Sequence, residues 1–383
     1  MPTGVISGPA PSAPSDVVAT LRTHLPLLRC VYCHSSLSLE QLHHGDPDLG
    51  PDGTLTCNGC SVRYPIISGT PRLVREPFRT QLRRWYGEDR TRVLDDEQAT
   101  PARDQASATK VDTAESFAFE WEQFGKMRPE WEKNFRDYLA PLDPVDLDGR
   151  LVVDIGAGSG RHSYFAAQAG ARVIAVDAGQ SIDVARRNLP PSALTVQADA
   201  DHLPLKPGEA DFVMSIGVVH HLPDPHAALR SMAQVLKPAG TAQFYVYWEG
   251  ERPSHRLALR GVRLLRQVTT HMPHRALAAL CVPLAGVLFA FVVIPYRSLR
   301  RRPRGRRVAA RLPLKTYADY PIGVCVNDQF DRFSAPIERR YSAEGARALV
   351  DGTGLMVTSV RPNAGWVVTC RKPESPLRDA SRQ

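Results

Sequence analysis

The chain has 383 residues, 43% hydrophobic and 23% charged, an ordinary globular balance with room for two domains or one large domain with additions. The net charge of +8 does not describe a uniformly basic protein: residues 251–315 hold fifteen Lys/Arg against one acid, Glu251, a local +14, so the remainder sums to −6. Seven cysteines, four of them in two CxxC pairs, exclude a disulfide framework and point to a metal in a reducing compartment.

Residues 1–22, beginning MPTGVISGPAPSAPS, are rich in Pro, Ser, Gly and Ala and are expected to be disordered. They have neither a basic n-region nor an apolar h-region, so no secretory signal is expected and the localisation reads as cytoplasmic. A cysteine module follows over residues 23–76. Cys30-Val-Tyr-Cys33 and Cys57-Asn-Gly-Cys60 lie twenty-three residues apart, and two such turns can aim four sulfurs at one centre, the tetrahedral set that Zn²⁺ favours. Four thiolates satisfy the ion without His34, His43 or His44, and a closed Cys₄ site leaves no position for substrate, so the metal is expected to be structural. LLRCVYCHSSLSLE and LTCNGCSVRYPIISGTPRLV resemble the Trm112-like zinc-ribbon family, whose members are fused to or paired with methyltransferases. The resemblance covers about residues 25–75. Val31 stands where that family has proline, and Tyr64–Pro71 matches its YPI-x-x-G-x-P continuation.

Residues 77–145 read as a linker and helical lid. In SFAFEWEQFGKMRPEWEKNF (116–135), Phe117, Phe119, Trp121 and Phe124 either wall a substrate site or form the face that packs the helix on the core.

The most informative stretch is LVVDIGAGSGRHSYFAAQAGARVIAVDAG. Leu151–Ile155 is a buried-strand run leading into Gly156-x-Gly158-x-Gly160 and a helix from about Arg161, an arrangement that brings a ligand to backbone amides at a helix N-terminus. A second strand ends in Asp177, placed to accept both hydroxyls of a ribose. The order Asp154-x-Gly-x-Gly-x-Gly is not GxGxxG, and Asp154 would repel a pyrophosphate but suit an ammonium, which favours S-adenosylmethionine over NAD. Together with VQADADHLPLKPGEADFVMSIGVVHHLPDPHAALRSMAQVLKPAGTAQFYVYW, it resembles the class I SAM-dependent methyltransferases of the type-11 and ubiquinone/menaquinone-methylating kind, closely over Leu151–Trp248. The resemblance implies an α/β, Rossmann-like sheet of seven strands in the order 3-2-1-4-5-7-6, strand 7 antiparallel, filling a domain of residues 146–373. Carried over by position, Asp154, Gly156, Gly158 and Gly160 form the methionine loop, Asp177 with Ala178 the ribose site, Asp199 with Ala200 the adenine site, and Gly217 lies near the sulfur. LKPAG stands for that family's LKPGG and GEAD for its SFD, neither in the cofactor pattern.

His220 and His221 follow the fourth strand. His220 is the candidate general base, while HHLPDP also reads as a loop and cap, with Asp224 and Pro225 opening the next helix. Farther on, Asp331 and Arg332 either face the cleft or pair at the surface.

Within an insertion at about residues 251–315, Ala276–Ile294 is uncharged over nineteen residues, long enough to span a bilayer. A full crossing is excluded, because strands six and seven must return to the same sheet, and Pro283 and Gly286 are expected to interrupt the run. Two readings remain: a buried or lid helix pair capping the substrate cleft, or an in-plane or re-entrant segment giving peripheral contact with an anionic membrane through Arg297–Arg311 and the basic helix RLALRGVRLLRQV before it. Residues 374–383 are expected to be a disordered tail. The sequence therefore reads as a SAM-dependent methyltransferase acting on a small or lipophilic acceptor, such as a secondary metabolite, quinone, lipid or glycolipid. The alternative acceptor is RNA, held by the zinc ribbon and Arg300–Arg307. A third reading makes the chain a scaffold whose ribbon docks a partner protein.

Overall fold

A computed structural model describes residues 14–94, 105–250, 253–302, 317–318 and 320–374. Two sheets organise the chain. The first is a four-stranded antiparallel sheet, β1 (Leu37–Asp46), β2 (Gly50–Cys57), β3 (Arg63–Ile67) and β4 (Thr70–Pro71), in that order. The second has seven strands: β5 (Leu151–Ile155), β6 (Arg172–Asp177), β7 (Leu194–Gln197), β8 (Ala210–Ile216), β9 (Leu236–Tyr247), β10 (Met356–Pro362) and β11 (Gly365–Arg371). Their spatial order is β10-β11-β9-β8-β5-β6-β7, which is 3-2-1-4-5-7-6 when counted from β5. β5 to β9 pair in parallel, and β11 runs antiparallel between β9 and β10. Both the α/β class and this strand order are as expected.

The parallel strands explain their own burial. Leu151–Ile155 and Val173–Val176 are buried along their whole length, as strands covered on both faces must be. Their C-terminal ends, and those of β7 and β8, open toward one edge of the sheet, where connections supply a ligand crevice.

The cysteine module is fused onto the sheet, not hung in front of it. Arg72, just past β4, bridges in parallel to Gln197 of β7, and Leu28 bridges Leu205. The Thr70 and Thr195 hydroxyls are 2.7 Å apart across the seam. An edge strand that would expose unpaired amides is thereby covered. The guanidinium of Arg72 is wholly buried there. It donates to Asp183 Oδ1 at 2.7 Å, the Ile67 carbonyl at 2.9 Å, Tyr86 Oη at 3.0 Å and Gln197 Oε1 at 3.2 Å.

Two expectations need correction. Residues 14–22, placed with a disordered terminus, belong to a helix, Pro14–His24, whose Val17 and Leu21 are buried one turn apart against β2 and β7; residues 1–13 lie outside the described chain. Two apolar side chains at i and i+4 outweigh the Pro/Ser-rich start of that stretch. Pro283 and Gly286 do not interrupt the apolar run: both sit inside the helix His274–Leu288, which continues through a π turn at Phe289–Val293 into Ile294–Arg300. Packing of Cys281 and Ala285, on either side of the proline, offsets the lost backbone bond. Beyond the insertion, Ile322–Ser334 forms a further helix. Of the basic run Arg300–Arg307, residues 303–307 lie outside the described chain, as do 375–383 of the tail.

Removing the Arg72 charge should leave Asp183 without its cationic partner at the seam, with only the Tyr86 hydroxyl at 2.8 Å. Arg72→Met is expected to destabilise the fold by about 3–5 kcal/mol, read as a lowered midpoint in denaturant unfolding.

Candidate functional site

β5 delivers its chain into a loop that only glycine tolerates. Gly156 has φ +72°, and a Cβ there would lie 2.2 Å from Val218 Cγ2; a Cβ on Gly158, φ +55°, would lie 2.6 Å from the indole nitrogen of Trp121. The loop is thus pressed from below by the β8 connection and from above by the helix Gln105–Phe124. Gly160 caps the following helix, Arg161–Gln168, in a left-handed conformation.

The cavity beside this loop encloses about 790 Å³ counting its open mouth, within the range of small-molecule sites. Gly156, Asp177, Ala178, Asp199, Ala200 and Gly217 line it, from the ends of four adjacent strands. Asp154, Gly158, Gly160 and His220 do not. Asp154 lies behind the loop, buried, accepting a 2.7 Å bond from Ser163 Oγ, and burial pushes its carboxyl up to about 7. Asp177 accepts from the Gly158 and Gly179 amides, each at 2.9 Å, and from Ser181 Oγ at 2.8 Å. Its pKa is also raised by burial, against those bonds. Two acids at neighbouring strand ends are costly unless something cationic faces them.

The opposite wall comes from the lid. Lys110, Thr113, Ala114, Phe117 and Trp121 of Gln105–Phe124 line the cavity, with Phe78 from the helix Phe78–Tyr86. Phe119 and Phe124 turn away and pack on Phe330. The four aromatics thus divide between both roles the sequence allows. Lys110 was not anticipated: its ammonium reaches Asp199 Oδ2 at 2.7 Å and Asp201 Oδ2 at 2.5 Å, clamping the lid to the loop after β7. Burial works against that charge, but Asp199 and Asp201 outweigh it, so its pKa is raised. Burial and the Asp199 charge push Asp201 up to about 6. No local pattern joins a lysine to acids ninety residues later.

The two histidines part company. His220 is fully buried behind the cavity, its ring 4.0 Å from that of Tyr247. This corrects its assignment as the base at the active-site mouth: the short 3₁₀ turn Val219–His221 points it inward. His221 lines the cavity instead, edge-on to Phe117 at 5.0 Å. Its Nδ1 lies 2.5 Å from the Ile337 carbonyl, which can only accept, so Nδ1 carries the proton. Nε2 is left with a bare lone pair and no partner. Asp224 caps the next helix as expected, accepting from Ala227 at 3.0 Å. Asp331 accepts from Tyr247 Oη at 2.5 Å rather than pairing at the surface.

At the ribbon, the four sulfurs of Cys30, Cys33, Cys57 and Cys60 lie within 4.8 Å of one another. The two turns are copies: His34 and Ser61 each bond back to the first cysteine's carbonyl at 3.0 Å, and both have φ +59°. Amides of Tyr32, Gly59 and Cys60 point at the sulfurs at 3.4 Å, as donors to thiolates do.

Residues 153–244 match the methyltransferase domain family. Among similar proteins, the ubiquinone biosynthesis O-methyltransferase of Stutzerimonas stutzeri (strain A1501) is 32% identical over 147 residues, 36% of this chain and 63% of that protein. The enzyme of that name from Xanthomonas campestris pv. campestris (strain B100) is 36% identical over 128 residues, covering 32% and 53%. The chain thus spans between half and two thirds of the length of these relatives. A solved structure, the Burkholderia thailandensis 1,6-didemethyltoxoflavin-N1-methyltransferase with bound 1,6-didemethyltoxoflavin and S-adenosylhomocysteine, aligns at 16% identity and TM-score 0.41, over 70% of this chain and 91% of that one. The methyltransferase-domain match thus falls on the segment whose strand ends build the cavity wall.

Lys110→Met should unfasten the lid and leave Asp199 and Asp201 facing each other. Weaker S-adenosylhomocysteine binding, by roughly ten-fold or more, is expected by calorimetry, with a loss of stability of about 3 kcal/mol.

Proposed function

We propose that this chain transfers a methyl group from S-adenosylmethionine to a small lipophilic acceptor, with a structural zinc in its ribbon. The observation that supports this most is the cavity wall, where Gly156, Asp177, Asp199 and Gly217 meet at four adjacent strand ends. In this reading Asp177 accepts the ribose hydroxyls, with Ala178 beside it, and Asp199 with Ala200 receives the adenine amino group. Gly156, Gly158 and Gly160 form the methionine loop, which Asp154 steadies through Ser163. Bound there, S-adenosylmethionine supplies a methyl group already activated as a sulfonium, so positioning does most of the remaining work.

The acceptor meets Phe117 and His221 on the cavity wall. His221 Nε2, unprotonated and desolvated, takes the proton of an acceptor hydroxyl, and its Nδ1–H bond to Ile337 holds the ring in that tautomer. The apolar lining by Phe78, Phe117, Trp121 and Leu222, and the ubiquinone-directed names of the relatives, support a lipophilic hydroxyl compound.

Calorimetry should give saturable binding of S-adenosylmethionine and S-adenosylhomocysteine, weakened at least ten-fold by Asp177→Ala; no saturable binding would sink the proposal. His221→Gln should leave that binding intact and lower kcat on a hydroxyl acceptor by roughly 10²–10⁴. Burial lowers the His221 pKa below its ordinary 6.5, so the neutral, proton-accepting form persists at and below that pH. The acid limb of kcat should accordingly lie below pH 6.5 and be absent in His221→Gln.

Four sulfurs about a Zn²⁺ ion at 2.3 Å would stand about 3.8 Å apart, and the Cys30–Cys60 and Cys33–Cys57 pairs lie at 3.6 and 3.3 Å. One zinc per chain by elemental analysis is expected, and chelation should lower the unfolding temperature by several degrees, because the ribbon core is continuous with that of the main sheet. Protein reconstituted with zinc and purified free of it would refute the assignment.

A further inference from the structure

Neither the cavity nor the ribbon uses the two helices of the insertion, Pro253–Thr269 and His274–Arg300. Both rest on Ile322–Ser334. From the first, Arg266 donates to the Arg332 and Ala335 carbonyls and pairs with Glu338 at 3.0 Å. From the second, Leu277, Cys281, Ala285 and Val293 form one buried stripe, in a core with Cys325, Phe330 and Phe333.

The other face of the second helix is as apolar as the buried one. Leu280, Leu284, Val287, Phe291 and Ile294 recur at intervals of four, three, four and three residues, and each is exposed, Phe291 to 76%. That spacing draws a single stripe along the helix. Leu257, Leu264, Leu265 and Val268 do the same on the first helix. Only 22% of the most apolar part of His274–Arg300 is buried, although it is long and apolar enough to cross a membrane. Monomeric soluble proteins rarely leave so continuous an apolar face bare.

The charge around this face names its occupant. Residues 253–302 contain nine arginines and no acid. Arg256, Arg260, Arg263, Arg275, Arg301 and Arg302 are exposed. Apolar stripes edged by arginine alone match a surface that is greasy within and anionic at its rim. Crossing is ruled out by the buried stripe: Leu277 and Val293, about 24 Å apart along the helix, are both held against the folded domain.

We propose that the outer face of this helix pair docks in the plane of an anionic phospholipid bilayer, its leucines and Phe291 entering the acyl boundary and its arginines on the headgroups. The docked helices abut the lid: Phe119 packs against His274 at 5.4 Å and against Phe330 at 5.3 Å. The proposal rests on the exposed faces and not on the identity of the methyl acceptor, so its test reads membrane binding alone.

In flotation of the full chain with phosphatidylcholine vesicles, with and without phosphatidylglycerol, the protein should float with the anionic vesicles at low salt and be released as salt rises. Leu284→Ser/Phe291→Ser should reduce the floating fraction by roughly ten-fold or more. Arg256→Gln/Arg260→Gln/Arg263→Gln should abolish the preference for phosphatidylglycerol. S-adenosylhomocysteine binding should be unchanged in both variants, which certifies their fold; if the serine variant misfolds, the salt dependence and the arginine variant still decide. Wild-type protein that stays unbound to anionic vesicles at low salt overturns the proposal. So does a wild-type dimer that the serine variant turns into a monomer while flotation is unaffected, since a second copy would then be the occupant.

Discussion

A buried charge at the seam governs how this molecule is put together. Arg72 belongs to the cysteine module by sequence, yet it is satisfied mainly by groups outside it: Asp183, Gln197 and Tyr86, with the module's own Ile67 carbonyl completing the set. Burial alone would depress its pKa, and Asp183 and Tyr86 more than offset that, so the charge is kept. A guanidinium without water must hold all its partners at once. The ribbon, the helix Phe78–Tyr86 and the β6–β7 region are therefore locked in one arrangement. The ribbon acts as the missing neighbour of edge strand β7.

That frame places negative charge where strands end. Asp154 and Asp177 are both pushed up by burial, and Asp199 and Asp201 both pair with Lys110. Under the proposed function this cavity receives a cation, a sulfonium with an ammonium beside it. The lid contributes the rest: Trp121 packs over Gly158 closely enough that any side chain there would collide with it. Glycine in this loop is required by the lid as much as by the ligand.

Much of this was legible in the chain. The two CxxC turns, the Asp154–Gly160 loop and the strand order follow from local spacing and from resemblance, because each depends on residues a few positions apart or on a fixed succession of elements. Lys110 was not legible, since its partners Asp199 and Asp201 meet it only once the lid has folded over the sheet. Nor was the helix Pro14–His24, whose two buried side chains matter only because β2 and β7 offer them a surface. The apolar run was read as either a cap on the cleft or a membrane segment; one of its stripes packs on Ile322–Ser334 while another is bare. Periodicity identifies stripes on a helix but not which of two apolar stripes the domain will cover.

The adjacent histidines mark the same boundary. The sequence by itself determined that a His-His pair would follow β8 near the cavity mouth and that Asp224 would cap the next helix, because strand end, turn and cap are local features. Only the tertiary structure decided between the two rings. Consecutive residues of a short turn point in different directions, and the distant Tyr247 and Ile337 settle the choice. The Tyr247 ring packs on His220 and shuts it in, while the Ile337 carbonyl accepts the Nδ1–H bond of His221 and leaves its Nε2 without a hydrogen-bond partner.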